Sequence, residues 1–135
     1  MNVFLDTNVL VSAFATRGLC ADVLQLVLAR HELTISRQII TEFRRVLNRK
    51  FHVPDALAAE FIAFLQDAFI VPTPRPPYAH PVRDADDAAI LAAALRARCD
   101  VLITGDPVLL DIATTVDGLR ILSPRAFWEL HRTGT

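Results

Sequence analysis

Six acids carry whatever chemistry this sequence can do: Asp6, Glu42, Asp84, Asp86, Asp87 and Asp106. Asp6 closes the short apolar run Val3-Phe4-Leu5 and is followed by Thr7 and Asn8. Asp106 closes a second such run within Thr104-Gly105-Asp106-Pro107. Asp84, Asp86 and Asp87 open an alanine-rich helix, and Glu42 lies inside another. Each acid alone has an ordinary structural role. Asp6 or Thr7 can cap the next helix, and an aspartate before a helix-opening proline is a common cap. Asp84 can act as an N-cap, with Asp86 and Asp87 favoured by the helix dipole at ~0.3–1 kcal/mol each. Glu42 can pair along its helix with Arg45, at ~0.2–0.5 kcal/mol. Together, however, the carboxylates form the oxygen-rich set that Mg²⁺ or Mn²⁺ prefers, and close acids cannot all ionise cheaply without a cation between them.

The elements that must position these acids follow from periodicity. Asn2 to Asp6, Leu33 to Ser36, Val101 to Thr104 and Leu119 to Leu122 are predicted strands, short and apolar as buried parallel strands are. Helices are predicted over Thr7 to Ala15, Ala21 to Arg30, Ser36 to about Phe51, from Pro54 through Leu65, Asp86 to Cys99, a short turn from Pro107, and Pro124 to His131. Ile39, Phe43 and Val46 form a core stripe with Glu42 at its rim, which points the acid along the sheet edge. Pro72 to Pro81 holds five of the eight prolines and reads as a stiff crossover inside one domain covering residues 1–135. Alternating strands and helices predict a parallel sheet with right-handed crossovers, whose functional groups gather at the strands' carboxyl ends.

Composition narrows the class. Apolar residues are 53% of the chain and the net charge is -1, which suits a folded domain rather than a polycation coating nucleic acid. Lys50 is the only lysine among 14 basic residues. Cys20 and Cys99 are too far apart for a metal knuckle and imply no disulfide framework. No apolar run reaches the ~20 residues of a membrane span, and the N-terminus has no secretory pattern, so a cytoplasmic protein is expected. His31, His52, His80 and His131 are scattered without ligand spacing and read as surface or turn residues. Phe127 and Trp128 read as packing for the last helix. A dehalogenase-like phosphatase needs an aspartate where Asn8 stands, a receiver domain needs a late lysine, and a Rossmann enzyme needs glycines after the first strand.

The chain resembles the PIN-domain nucleases of the VapC-like toxins. The resemblance lies in Val3-Phe4-Leu5-Asp6-Thr7-Asn8-Val9-Leu10, in Glu42, in the run from Asp86 to Ala94, in Thr104-Gly105-Asp106 and in the closing Arg120 to Phe127. It implies an α/β/α sandwich around a parallel sheet. It implies that Asp6, Glu42, Asp87 and Asp106 carry a metal site, with Asn8 and Thr104 supporting the acids by hydrogen bonds and Asp84 as a further or alternative acid. Ala85 departs from the family, which often has proline between the acids, and leaves the choice among Asp84, Asp86 and Asp87 open. The implied activity is in-line hydrolysis of RNA phosphodiesters, with Asp6 and Asp106 holding a central metal and Glu42 and Asp87 completing its shell or orienting water. Arg17, Arg45 and Arg49 are candidate phosphate contacts. The implied partners are an antitoxin protein and a second copy of the chain. The rival reading is a PIN-like scaffold that binds RNA or protein without cutting.

Overall fold

The apolar run after Met1 forms β1 (Asn2–Leu5), whose Val3, Phe4 and Leu5 have no exposed surface. β1 pairs in parallel with β2 (Glu32–Ser36) on one side and β4 (Val101–Ile103) on the other. β3 (Phe69–Val71) lies outside β2 and β5 (Arg120–Leu122) outside β4. The five strands, all parallel, run in the order β3-β2-β1-β4-β5. The computed structural model describes residues 1–80 and 82–132. Pro81, the last proline of the expected stiff connection, is outside the described residues. Strands from both sides of that connection share the one sheet.

Helices cover the sheet. α1 (Thr7–Ala15) packs on α2 (Leu19–Arg30) and α3 (Arg37–Phe51), and α3 packs on α4 (Asp55–Phe64). α5 (Ala85–Arg96) packs on β2 and β4. α6 (Pro107–Asp111) and α7 (Pro124–Arg132) pack on β5. This is the expected α/β/α sandwich. Among the described residues no single helix is long and apolar enough to cross a membrane.

Local chemistry sets the helix ends. Ser36 accepts from the Ile39 amide and starts α3, which ends where His52 turns left-handed at φ 53°. In α3, Ile39, Phe43 and Leu47 are fully buried, and Phe14 meets Phe43 edge-on with ring centroids 5.5 Å apart. In α5 every residue from Ala88 to Ala94 is buried, because its small side chains fit a helix into the packed interior.

Beyond shifts of one or two residues at other element ends, the structure departs from expectation as follows. β3 is an added strand. Phe69-Ile70-Val71 is too short for any periodicity, Phe69 and Ile70 are exposed, and only pairing with Thr34, Ile35 and Ser36 makes it a strand. Pro54 is the N-cap of α4 and not its first residue. α5 stops at Arg96 instead of continuing to Cys99, with Arg98 left-handed at φ 57°. The histidines are not all scattered: His31 and His131 meet, Nε2 to Nε2, at 2.7 Å. His131 Nδ1–H donates to the Phe127 carbonyl, so its Nε2 carries the lone pair that His31 Nε2–H needs. His31 Nδ1 then accepts from the Met1 ammonium.

Candidate active site

Strand order reverses between β1 and β4, since the chain leaves β1 toward β2 and leaves β4 toward β5. In open α/β sheets the crevice beyond the carboxyl ends of such a pair is where ligands bind. Asp6 stands directly after β1 and Thr104 directly after β4, with Asp106 two residues further on.

Asp6 is buried, with 4% of its surface exposed. One carboxylate oxygen accepts from the Thr7 amide at 2.7 Å and the other from the Thr104 hydroxyl at 2.6 Å. That hydroxyl in turn accepts from the Asp106 amide at 3.0 Å. Thr104, wholly buried, therefore ties the two strand-end acids together. Asp106 also caps α6 through the Val108 amide, so its capping role and its place in the cluster coexist. Asn8 is exposed in the first turn of α1 and makes no hydrogen bond to the acids.

The acids opening α5 divide the work. One oxygen of Asp84 accepts from the amides of Asp86 and Asp87, at 2.8 and 3.1 Å, which makes Asp84 the N-cap. Asp87 turns inward toward Asp106, close enough for a hydrogen bond, with Asp84 and Asp6 nearby. Asp86 is exposed and faces Glu42. Glu42 sits between the two groups, within electrostatic reach of both Asp86 and Asp6.

The cluster resists full ionisation. Burial, and then the neighbouring Asp106 charge, hold the Asp6 carboxyl above its ordinary range, although the Thr104 and Thr7 hydrogen bonds pull the other way. Burial raises Glu42, assisted by Asp86 and Asp6 and opposed by Gln38 and Arg45. Burial and the Asp106 carboxylate push Asp87 to about 7. A hydrogen bond between two carboxyl groups needs a proton, which a cation can replace.

Gln38, one helical turn before Glu42, went unmarked in the sequence. Its amide nitrogen donates to Glu42 Oε2 at 3.4 Å and to the Asp86 carbonyl at 3.0 Å, which joins α3 to the start of α5. Its backbone amide donates to the Thr73 hydroxyl at 2.9 Å. The i, i+4 spacing to Glu42 was the available signal. Arg45 lines the same groove as Glu42 and Asp86, and Arg49 lies in the adjoining groove. Arg17 is exposed beyond the far end of α1, a nine-residue helix, roughly 14 Å long, that follows Asp6.

The set fits a hard divalent cation in chemistry. All candidate ligands are oxygens, and the Thr7 hydroxyl oxygen, buried next to Asp6, has no hydrogen-bond partner. Among the described residues no three carboxyl, imidazole or thiol groups close on one point as ligands would.

Comparisons with known proteins bear on this arrangement. A family model described as the PIN domain matches residues 2–107, a span that includes Asp6, Glu42, Asp87 and Asp106. The chain belongs to the PIN-domain family. The PIN family is one of nucleases, and the match ends one residue beyond Asp106. The fold is similar to solved structures: that of VapBC2 from Rickettsia felis, bound to a DNA fragment from its promoter, superposes with a TM-score of 0.64 at 14% identity, covering 91% of this chain and 98% of that one. VapC20 of Mycobacterium tuberculosis, described as a sarcin–ricin loop cleaving toxin, gives a TM-score of 0.56 at 16% identity over 77% of this chain and 91% of that one. A comparison with curated protein sequences gave no match.

Proposed function

We propose that this PIN domain is a divalent-cation-dependent endoribonuclease and the toxin of a toxin–antitoxin pair. The observation that carries the reading is the meeting of Asp6, Asp87 and Asp106, with Glu42 alongside, at the point where strand order reverses. Asp6, Asp87, Asp106 and Glu42 would hold Mg²⁺ or Mn²⁺. Such an ion lowers the pKa of its water and offsets charge on a phosphate undergoing hydrolysis. Thr104 orients Asp6, Gln38 orients Glu42, and Asp84 fixes the start of α5 so that Asp87 turns inward.

RNA as substrate and an antitoxin as partner are supported by likeness to a sarcin–ricin loop cleaving toxin and to a VapBC complex. A homodimer is proposed from the family resemblance alone. The test is cleavage of structured RNA with Mg²⁺, Mn²⁺ or a chelator, by wild type, Asp6→Asn and Asp87→Asn. The wild type should cut only with the metal, and each variant should lose cutting by roughly a hundredfold or more, the scale of losing electrostatic transition-state stabilisation. RNA binding without cation-dependent cutting in any of the three would leave the scaffold reading in its place.

A further inference from the structure

We infer that the outer face of α3 is the track along which one strand of RNA is led to the acids, an inference that rests on the nuclease reading. The ridge of α3 that presents Gln38 and Glu42 to the acidic cluster continues, at three- and four-residue steps, to Arg45 and Arg49. Arg37 and Arg44 stand on the adjacent ridge, with Thr41 and Asn48 between and after them. These four arginines are exposed. Two grooves run along this face and meet at Thr41 and Arg45: one opens on Glu42 and Asp86, the other on Arg49 and Asn48. From Arg37 to Arg49 the face is roughly 18 Å long, as twelve helical steps dictate.

The charge pattern on this face suits a ligand better than it suits the helix. Arg45 and Arg49 are like charges four residues apart, which destabilises a helix. Arg37 is the first residue of α3, where a cation opposes the helix dipole. Among the described residues the single ion pair is Arg132 with Glu129, so none of these guanidinium groups is neutralised by a carboxylate within 4.0 Å. Glu42, the only acid of α3, sits at the end nearest the cluster, and Asp55, at the far end, is engaged by Asn48 at 3.1 Å. A polyanion lying on this face would exchange condensed counterions, released to solvent, for these four exposed guanidinium groups and arrive with a phosphate beside Glu42.

The experiment measures binding of a fluorescent single-stranded RNA across a salt series, in the cleavage-silenced Asp6→Asn protein and without divalent cation. Arg45→Gln with Arg49→Gln should lower the slope of log affinity against log salt by about 1.4, since each single-strand phosphate contact contributes ~0.7. Arg120→Gln, at the exposed amino end of β5 and so at the sheet edge opposite the acids, should leave the slope unchanged. In the otherwise wild-type enzyme the double variant should raise KM by a larger factor than it lowers kcat, since Arg45 also acts on Glu42. An unchanged slope and KM, with acid-dependent cutting intact, would overturn the track and leave the nuclease reading standing. Loss of binding to a protein partner with RNA binding unchanged would overturn it equally. No metal-dependent cutting by the wild type would remove the nuclease reading itself.

Discussion

Thr104→Val tests the centre of the site. Valine keeps the shape of threonine in a wholly buried position and removes the hydroxyl that donates to Asp6 at 2.6 Å. A hydrogen bond to an ionised group contributes ~1.5–3 kcal/mol, and a neutral one ~0.5–1.5 kcal/mol. Asp6 already lies above its ordinary 3.8, so its linked stability is full below 3.8 and is lost as pH rises through its folded value. Losing the Thr104 donor raises that folded value further, and the variant loses more as pH rises. The expected destabilisation is therefore about 2 kcal/mol at pH 8 and about half that at pH 4. At roughly 3–5 °C per kcal/mol for a chain of this size, Tm should fall by about 6–10 °C at pH 8. Thermal and urea unfolding of both proteins at the two pH values, in chelator, read this directly. Equal losses at both would mean that Thr104 does not act through the Asp6 charge, and the account of the site would be wrong at its core. RNA cleavage should fall in parallel, by about tenfold or more.

Other expectations follow from the same geometry. Gln38→Leu should leave Tm within about 2 °C, because the side chain is only partly buried, yet cut kcat about tenfold by freeing Glu42; a shorter reach in Gln38→Asn should not restore it. Asp87, raised to about 7, contributes stability that is full below 3.8 and lost as pH rises through about 7. Mg²⁺ should therefore raise Tm clearly at pH 8 and much less at pH 5, and equal shifts would refute a cation acting on this cluster. Burial, then the Met1 ammonium, His131 and Arg30, lower the pKa of His31 below 6.5. Its contribution is thus full above 6.5 and lost as pH falls below it. His31→Phe should flatten that acid-side fall in Tm; an unchanged pH profile would mean the histidine pair does not hold α7 to α2.

What the amino-acid sequence determined by itself is what local physics can enforce. Ser36 and Asp84 mark helix starts because their side chains accept from amides two or three residues on. The run Ala88 to Ala94 declares a buried helix, and Val3-Phe4-Leu5 a buried strand, because apolar side chains on every side leave no face for water. The order and spacing of the short motifs that carry Asp6, Glu42, Asp87 and Asp106, with the closing Arg120 to Phe127, pointed to the family. Tertiary structure decided what depends on distance in space. Phe69-Ile70-Val71 is a strand only because β2 offers its edge. Asp86 and Asp87 are adjacent in sequence, but one helical step of ~100° sends the first toward Glu42 and the second toward Asp106. Thr104 reaches Asp6 across 98 residues because β1 and β4 are neighbours in parallel register. His31 and His131 meet only because α7 returns to the end of α2. The four candidate acids were therefore visible in the chain, while their division into an inner group around Thr104, of which Asp6 is buried, and an outer group around Gln38 was set by the sheet and the docking of α5 upon it.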